Sequence, residues 1–255
     1  MQAFRNRLSQ YVSIDIADDV CETIDKLNPR TRDVSPHEDI VSVGDVTDRL
    51  FINSEGWAIR HRTLEDGRRQ IVNFMLPGDI FDLQALSGLE ADHNVTTVTR
   101  TRVLEVDAAA FLEALKADGH CASAFWWAAV QEESILREQI VRIGRRTARE
   151  RIAHLLLELH RRLTGALGGK DDSLLLPITR SDLADALGLT PVHVSRTMSW
   201  LHKNGLIEQK RGAVAITDRK RLARLAQFDD DYLHLRKLNL SPRPPGGPDR
   251  IRRVI

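Results

Sequence analysis

The stretch LGLTPVHVSRTMSWLHKNGLIE (187–208) contains a helix whose start is clearly marked. Thr190 suits the N-cap because its hydroxyl oxygen can accept a backbone N–H. Pro191 suits the first helical position, where no N–H is needed. Apolar residues then recur at steps of three and four, which places Val194, Met198 and Leu201 on one face.

A second short helix precedes this one. Residues 181–187 carry an apolar face with Ser181 as the candidate N-cap, and Gly188 supplies a sharp turn. Two short helices joined in this way predict a helix-turn-helix, whose second helix enters the major groove of DNA.

The opposite face of the second helix carries Val192, His193 and Arg196, with Lys203 further along. An exposed valine beside such donors is unusual for a solvated surface and suits a major groove. Arginine can bind guanine O6 and N7 with two hydrogen bonds, and an apolar group can contact the thymine methyl. The face therefore predicts base reading.

The segment GLIEQKRGAVAIT (205–217) follows directly. It reads as two strands, 206–209 and 213–216, joined by a turn that contains Lys210 and Arg211. This hairpin predicts the wing of a winged helix, with basic residues placed for phosphates.

Charge divides the chain into two unlike parts. Residues 144–255 hold 22 Lys and Arg against 12 Asp and Glu, whereas residues 1–143 hold 15 against 24. The division indicates a polyanionic partner for the C-terminal part, or two domains that attract one another.

The first half is typical of β structure. Runs rich in β-branched and aromatic residues alternate with turn signals such as EDGR (65–68), in which Gly67 suits a hairpin. This spacing predicts a β-sandwich or barrel. The expected strands include 57–64, 70–74, 95–98 and 103–106.

From residue 107 the periodicity becomes helical. Residues 122–142 contain neither proline nor glycine and carry a long apolar stripe, which packs either on its own domain or against a second copy of the chain. Gly144 is expected to end or bend this helix, and residues 164–173 to form a loop. The stripe comprises Phe125, Ala128, Ala129, Ile135, Leu136, Ile140 and Ile143.

The chain resembles the Crp/Fnr superfamily of transcription regulators over residues 10–235. The resemblance rests on DGRRQIVNFMLPGDIFDL (66–83), RRTARERIAHLLLEL (145–159) and ITRSDLADALGLTPVHVSRTMSWLHKNGLIE (178–208). It implies an α+β fold with three parts. These are a cyclic-nucleotide-binding-like jelly roll (10–118), a dimerisation helix (119–143) and a winged helix-turn-helix (144–235). A basic tail (236–255) is expected to be disordered.

The resemblance also implies roles for single residues. The Ser-Arg pair of the family falls on Ser195 and Arg196. A recognition-helix glutamate found in many members falls on Val192, so an atypical operator is expected. Thr179 and Arg180 fall where the family contacts phosphates. The full set of expected phosphate contacts is Thr179, Arg180, Thr190, Lys203, Lys210 and Arg211.

The effector cannot be assigned from the sequence. No arginine lies between Arg69 and Arg100, so the phosphate partner of the cyclic AMP binders is missing. Cys21 and Cys121 cannot supply the four ligands of an iron–sulfur cluster. Haem is not excluded, since His37, His61, His93 and His120 are present. An effector pocket, or simply a set of loop-stabilising groups, is expected at Asp82, Gln84, Asp92, His93 and Asn94.

These observations favour a cytoplasmic homodimer that binds double-stranded DNA and RNA polymerase, with no membrane segment. The alternatives are a protein whose primary activity is binding haem or another small molecule, and a constitutive regulator without an effector. An enzyme is not expected, because the sequence contains no nucleophile elbow, P-loop or metal-spaced histidine pair.

Overall fold

The computed structural model describes residues 1–168, 175–210 and 213–235, so Arg211 and the tail 236–255 lie outside it. Its helices are α1 Gln2–Leu8, α2 Ile14–Lys26, α3 Ala108–Ala117, α4 Gly119–Arg145, α5 Ala148–Leu167, α6 Arg180–Leu187, α7 Pro191–Lys203 and α8 Arg219–Ala226. Its strands are β1 Arg30–Val34, β2 Asp39–Val41, β3 Arg49–Glu55, β4 Ala58–Thr63, β5 Arg69–Met75, β6 Ile80–Phe81, β7 Asn94–Thr97, β8 Thr101–Asp107, β9 Ile207–Lys210 and β10 Ala213–Ile216.

The first eight strands form an antiparallel β roll of two sheets. One sheet has the order β1-β8-β3-β6 and the other β2-β7-β4-β5. Between them lies an apolar interior that includes Phe51, Phe81, Val95 and Val103. The expected jelly roll is confirmed, and the turn at Gly67 has the positive φ that glycine tolerates.

Side-chain alternation along β4 gives the second sheet two different faces. Ala58 belongs to the interior of the roll, whereas its neighbour Ile59 points outward into another core cluster. Arg60, two residues from Ala58, therefore lies on the inner face of the strand.

Helices from the rest of the chain cover both outer faces. On the first sheet, Leu50 and Ile52 pack with α1, α2, α3 and the first half of α4. On the second sheet, Trp57, Ile59 and Phe74 share one apolar cluster with α5, α6 and α7. The roll and the helix-turn-helix are thus joined through a continuous core.

Buried charges cross this junction. Arg162 of α5 donates to the backbone oxygen of Phe74 on β5 at 2.9 Å and to Asp79 Oδ2, between β5 and β6, at 2.7 Å. Glu158, one turn earlier on α5, pairs with Arg142 of α4, and these two side chains are 2% and 1% exposed. Burial lowers the pKa of Arg162, and the Glu158 carboxylate opposes this shift.

The chain then returns from α8 towards α4. Tyr232 donates its hydroxyl to Glu158 Oε2 at 2.7 Å, and Trp127 of α4 donates Nε1–H to the His234 backbone oxygen at 3.1 Å. Phe228 and Tyr232 enclose the ring of His154, whose pKa burial lowers to about 2. Residues 228–235 therefore tie the winged-helix half to the long helix.

The structure corrects several expectations drawn from sequence. The helices α1 and α2 were not expected, and α5 continues to Leu167 through part of the predicted loop, the rest of which (169–174) lies outside the described residues. The long helix ends at Arg145, one residue after Gly144. Phe125 and Ile135 of its stripe are 6% and 2% exposed because the chain's own body buries them, so they are not free to face a second copy.

Replacing Glu158 with alanine should lower the free energy of unfolding by about 3–5 kcal/mol, because the Arg142 guanidinium is left buried without its partner. The matched control is Glu113→Ala, which removes the partner of Lys116 from an exposed pair on α3. That change should cost less than about 0.5 kcal/mol. Urea unfolding checks both, and equal midpoints for the two variants would contradict the assignment.

Candidate DNA-binding surface

Capping residues fix the two helices of the helix-turn-helix. Thr179, rather than the expected Ser181, is the N-cap of α6, and its hydroxyl donates to Asp182 Oδ2 at 2.6 Å. This bond uses the hydroxyl hydrogen, so capping occupies the group expected to contact a phosphate. Gly188 ends α6 at a φ of 61°, and Thr190 caps α7 by accepting from the His193 N–H at 3.2 Å.

The recognition helix α7 has one buried and one exposed face. Val194, Met198 and Leu201 are at most 1% exposed and pack in the shared core. Val192 is 60% exposed. Of the other residues predicted to read bases, His193 and Arg196 are exposed and Ser195 is half-buried.

The wing is an antiparallel hairpin in which Lys210 of β9 faces Ala213 of β10. Lys210 pairs with Glu208 at 3.1 Å on the exposed surface. Arg180, at the start of α6, donates to Gln209 Oε1 of β9 at 3.2 Å. Arg180, Lys203 and Lys210 are all exposed, so their cationic groups remain accessible.

Contacts with the roll orient α6. Arg69 of β5 pairs with Asp185 at 2.8 Å and Asp182 at 3.3 Å. Gln70 of β5 and Gln139 of α4 both donate to the Ala186 backbone oxygen, at 3.1 and 2.6 Å. The last turn of α6 is therefore held by two other elements of the chain.

A second group of polar residues lies at the roll. Asp82 is fully buried, and His93 Nε2 approaches its Oδ1 at 3.3 Å while Gln84 Nε2 donates to it at 2.8 Å. Asp92 is exposed and contacts His93 Nδ1 at 2.7 Å. Asn94 accepts the Val43 N–H at 3.0 Å and so serves a loop backbone.

The sequence did not suggest that Arg60 belongs to this group. Arg60 pairs with Glu132 of α4, and burial lowers its pKa against the opposing effect of Asp82 and Asp92. Within the described chain, Arg60 Nε and Asp82 Oδ2 are buried without a hydrogen-bond partner. Arg60 lies on β4 and Asp82 follows β6, 22 residues later, so only the fold of the roll brings Asp82 near enough to act on the pKa of Arg60.

The cysteines and candidate haem histidines have individual environments. Burial raises the pKa of Cys21 to about 11 and of Cys121 to about 12, so both remain thiols at neutral pH. His61 is buried against Thr96 Oγ1 at 2.8 Å, and burial lowers its pKa. His37 and His120 are exposed.

Comparisons with known proteins agree with this architecture. Residues 31–118 match the family model of the cyclic nucleotide-binding domain, and residues 150–225 match that of the Crp-like helix-turn-helix domain. The nitrogen fixation regulation protein FixK of Bradyrhizobium diazoefficiens is 34% identical over 194 residues, which cover 75% of this chain and 80% of that protein.

Two further relatives match a similar share of this chain. The transcriptional activator protein FnrL of Cereibacter sphaeroides is 34% identical over 198 residues, 75% of this chain and 78% of that protein. The structure of FixK2 from Bradyrhizobium japonicum superposes with a TM-score of 0.70 at 30% identity, covering 77% of this chain and 96% of that one.

A winged helix-turn-helix joined to a cyclic-nucleotide-binding-like roll defines a DNA-binding transcriptional regulator. Within that class, this chain belongs to the Crp/Fnr family. Among the described helices, none combines the length and apolar character needed to cross a membrane.

Proposed function

We propose that this regulator binds a near-palindromic operator as a homodimer, with α7 of each copy in the major groove. The supporting observation is the exposed side of α7, where Val192, His193 and Arg196 project away from the core that holds the helix. Arg196 reads guanine, Val192 contacts a thymine methyl, and His193 and Ser195 supply polar contacts.

The phosphate contacts surround this face. Arg180 and Lys210 lie on the exposed surface at α6 and the wing, and Lys203 lies at the end of α7. Thr190 accepts a bond in its capping role and still has its own hydroxyl hydrogen for a phosphate oxygen. Arg211, which follows Lys210 in the sequence and lies outside the described residues, stays a predicted member of this set.

Replacing Arg196 with alanine should reduce discrimination at one base pair in each half-site by about 1–3 kcal/mol. Gel-shift titration at fixed salt, on operator variants from the protein's own promoter region, measures this. Lys203→Ala is the matched control, and it should weaken binding to all sequences about equally. Selectivity that survives Arg196→Ala would show that another surface reads the bases. A wild-type protein with no preference over random DNA would refute the whole proposal.

The dimer forms along the exposed side of α4, in our proposal. Trp126 is 75% exposed and Ile140 67% exposed, although both are large apolar residues. They belong to a stripe with alternating steps of three and four, as in a coiled coil. Four of its members come from the stripe expected from sequence. The stripe comprises Trp126, Ala129, Glu133, Leu136, Ile140 and Ile143.

In this proposal, α4 of a second copy of the chain packs against the stripe. Heptad spacing along a 27-residue helix suits contact with the equivalent helix across a two-fold axis. Ile140→Glu places a carboxylate in that interface and should give a monomer at concentrations where the wild type is dimeric. Sedimentation velocity measures the change. Leu64→Glu, a substitution at a 51%-exposed apolar residue away from α4, is the control and should leave the dimer intact.

We also propose that the roll binds a small ligand at Asp82. The supporting observation is the fully buried Asp82 carboxylate, whose Oδ2 has no partner, together with the unpartnered Nε of Arg60, which is near enough for the Asp82 charge to oppose the lowering of the Arg60 pKa. A ligand with hydroxyl or amine donors would satisfy the carboxylate, and its binding would act on the Arg60–Glu132 pair that reaches α4. The experiment must distinguish three outcomes, which are bound haem, another bound small molecule and no ligand.

Native mass spectrometry and an absorbance spectrum of protein purified from its own host separate these outcomes. A mass excess that Asp82→Asn removes, and that the exposed control Asp66→Asn keeps, would support the site. A visible absorption band would identify haem. A native mass equal to that of the polypeptide alone, together with full DNA binding, would favour the constitutive regulator.

For the cell, we propose a cytoplasmic location and RNA polymerase as the second macromolecular partner. Both follow from the role of a transcriptional regulator.

A further inference from the structure

A cleft of about 650 Å³ lies beside the base-reading face, between the first turn of α5 and the exposed side of α7. Thr147 and Arg149 form one wall, and Val192, His193, Arg196 and Trp200 contribute to the other. No carboxylate is among its lining residues, although two arginines are. The cleft therefore has the charge of an anion-binding surface.

The position of Arg149 is fixed by an aromatic ring. Its guanidinium carbon lies 4.1 Å from the centroid of the Trp200 ring, and Trp200 is itself half-buried against the shared core. The guanidinium lies over the indole ring, and its N–H edges form no hydrogen bond within the described residues. Such an edge can donate two parallel bonds to a phosphate, and stacking reduces the freedom lost on binding.

Within the described residues, neither Arg149 nor Arg196 forms an ion pair with a carboxylate. The nearby arginines differ in this respect, since Arg142 pairs with Glu158 and Arg146 pairs with Glu138 at 2.7 Å. The guanidinium groups of Arg149 and Arg196 are therefore available to bind an external anion.

The occupant follows from continuity with the base-reading face. Val192, His193 and Arg196 belong to both surfaces, and a sugar–phosphate strand borders each side of a major groove that receives α7. We infer that Arg149, positioned by Trp200, binds a phosphate of the operator backbone at this cleft. The inference rests on the proposed entry of α7 into DNA and adds α5 to the interface.

The test measures the dissociation constant on operator and random duplexes at several salt concentrations. Arg149→Ala should weaken both by the same factor, roughly tenfold at low salt, since a charge-assisted bond is lost. It should also reduce the slope of log affinity against log salt by about one unit per copy. Arg100→Ala, which removes an exposed arginine of the roll, is the charge-matched control and should change neither quantity.

Two further variants test the stacking. Arg149→Lys keeps the charge without the planar fork, so the salt slope should return while affinity recovers only in part. Trp200→Leu should weaken binding, and adding it to Arg149→Ala should have no further effect on affinity, because the two act through one contact. Thermal unfolding of each variant verifies that it is folded.

Three results would overturn the inference. If Arg149→Ala behaves like Arg100→Ala while Arg196→Ala still loses discrimination, α7 reads DNA without this cleft. If Arg149→Ala changes base preference, its partner is a base rather than a phosphate. If the wild type binds no DNA selectively, the proposed function itself fails.

Discussion

The arrangement of this molecule depends on the buried carboxylate of Glu158. It lies between the guanidinium groups of Arg142 and Arg162, and the Tyr232 hydroxyl donates to it as well. Each charge has lost most of its water, so each needs its partners at short range. Those partners come from α4, α5 and the returning chain, and Arg162 extends the contacts to β5. A rotation of the winged helix relative to the roll would separate several of them at once.

The apolar core likewise fixes the position of the recognition helix relative to the roll. Val194 and Met198 of α7 belong to the cluster that includes Trp57 and Phe74 of the roll. The face of α7 that we propose to meet DNA is therefore defined by what its other face packs against. In the proposed mechanism a ligand at Asp82 would act on the Arg60–Glu132 pair, and α4 would pass the change to α6 through Gln139.

Local chemistry made much of this predictable from sequence. Thr190, Pro191 and Gly188 mark helix ends through interactions within a few residues. Along the strands of the roll, side chains alternate between the two faces of a sheet, and this pattern is visible in neighbouring residues of the sequence. Those features are confirmed. Ser181 was the predicted N-cap of α6, but Thr179 occupies that position because it forms a capping box with Asp182.

Contacts between residues far apart in the chain could not be predicted from the sequence. Arg60, Arg149 and Arg162 look like ordinary charged residues in the sequence, and their roles arise from partners on other elements. The stripe on α4 shows the same limit, since periodicity cannot tell which apolar residues face the chain's own body. Phe125 and Ile135 were included with Ile140 for that reason, and only the fold separates them.

In the proposed assembly, the exposed face of α7 reads DNA from a fixed position on each side of a two-fold axis. A structure of the full chain on an operator selected from random-sequence DNA tests it most directly. We expect two copies of α7 in successive major grooves, about 34 Å apart. Val192 and Arg196 should contact base edges there. An assembly in which α7 lies away from the bases, or in which one copy binds alone, would contradict it.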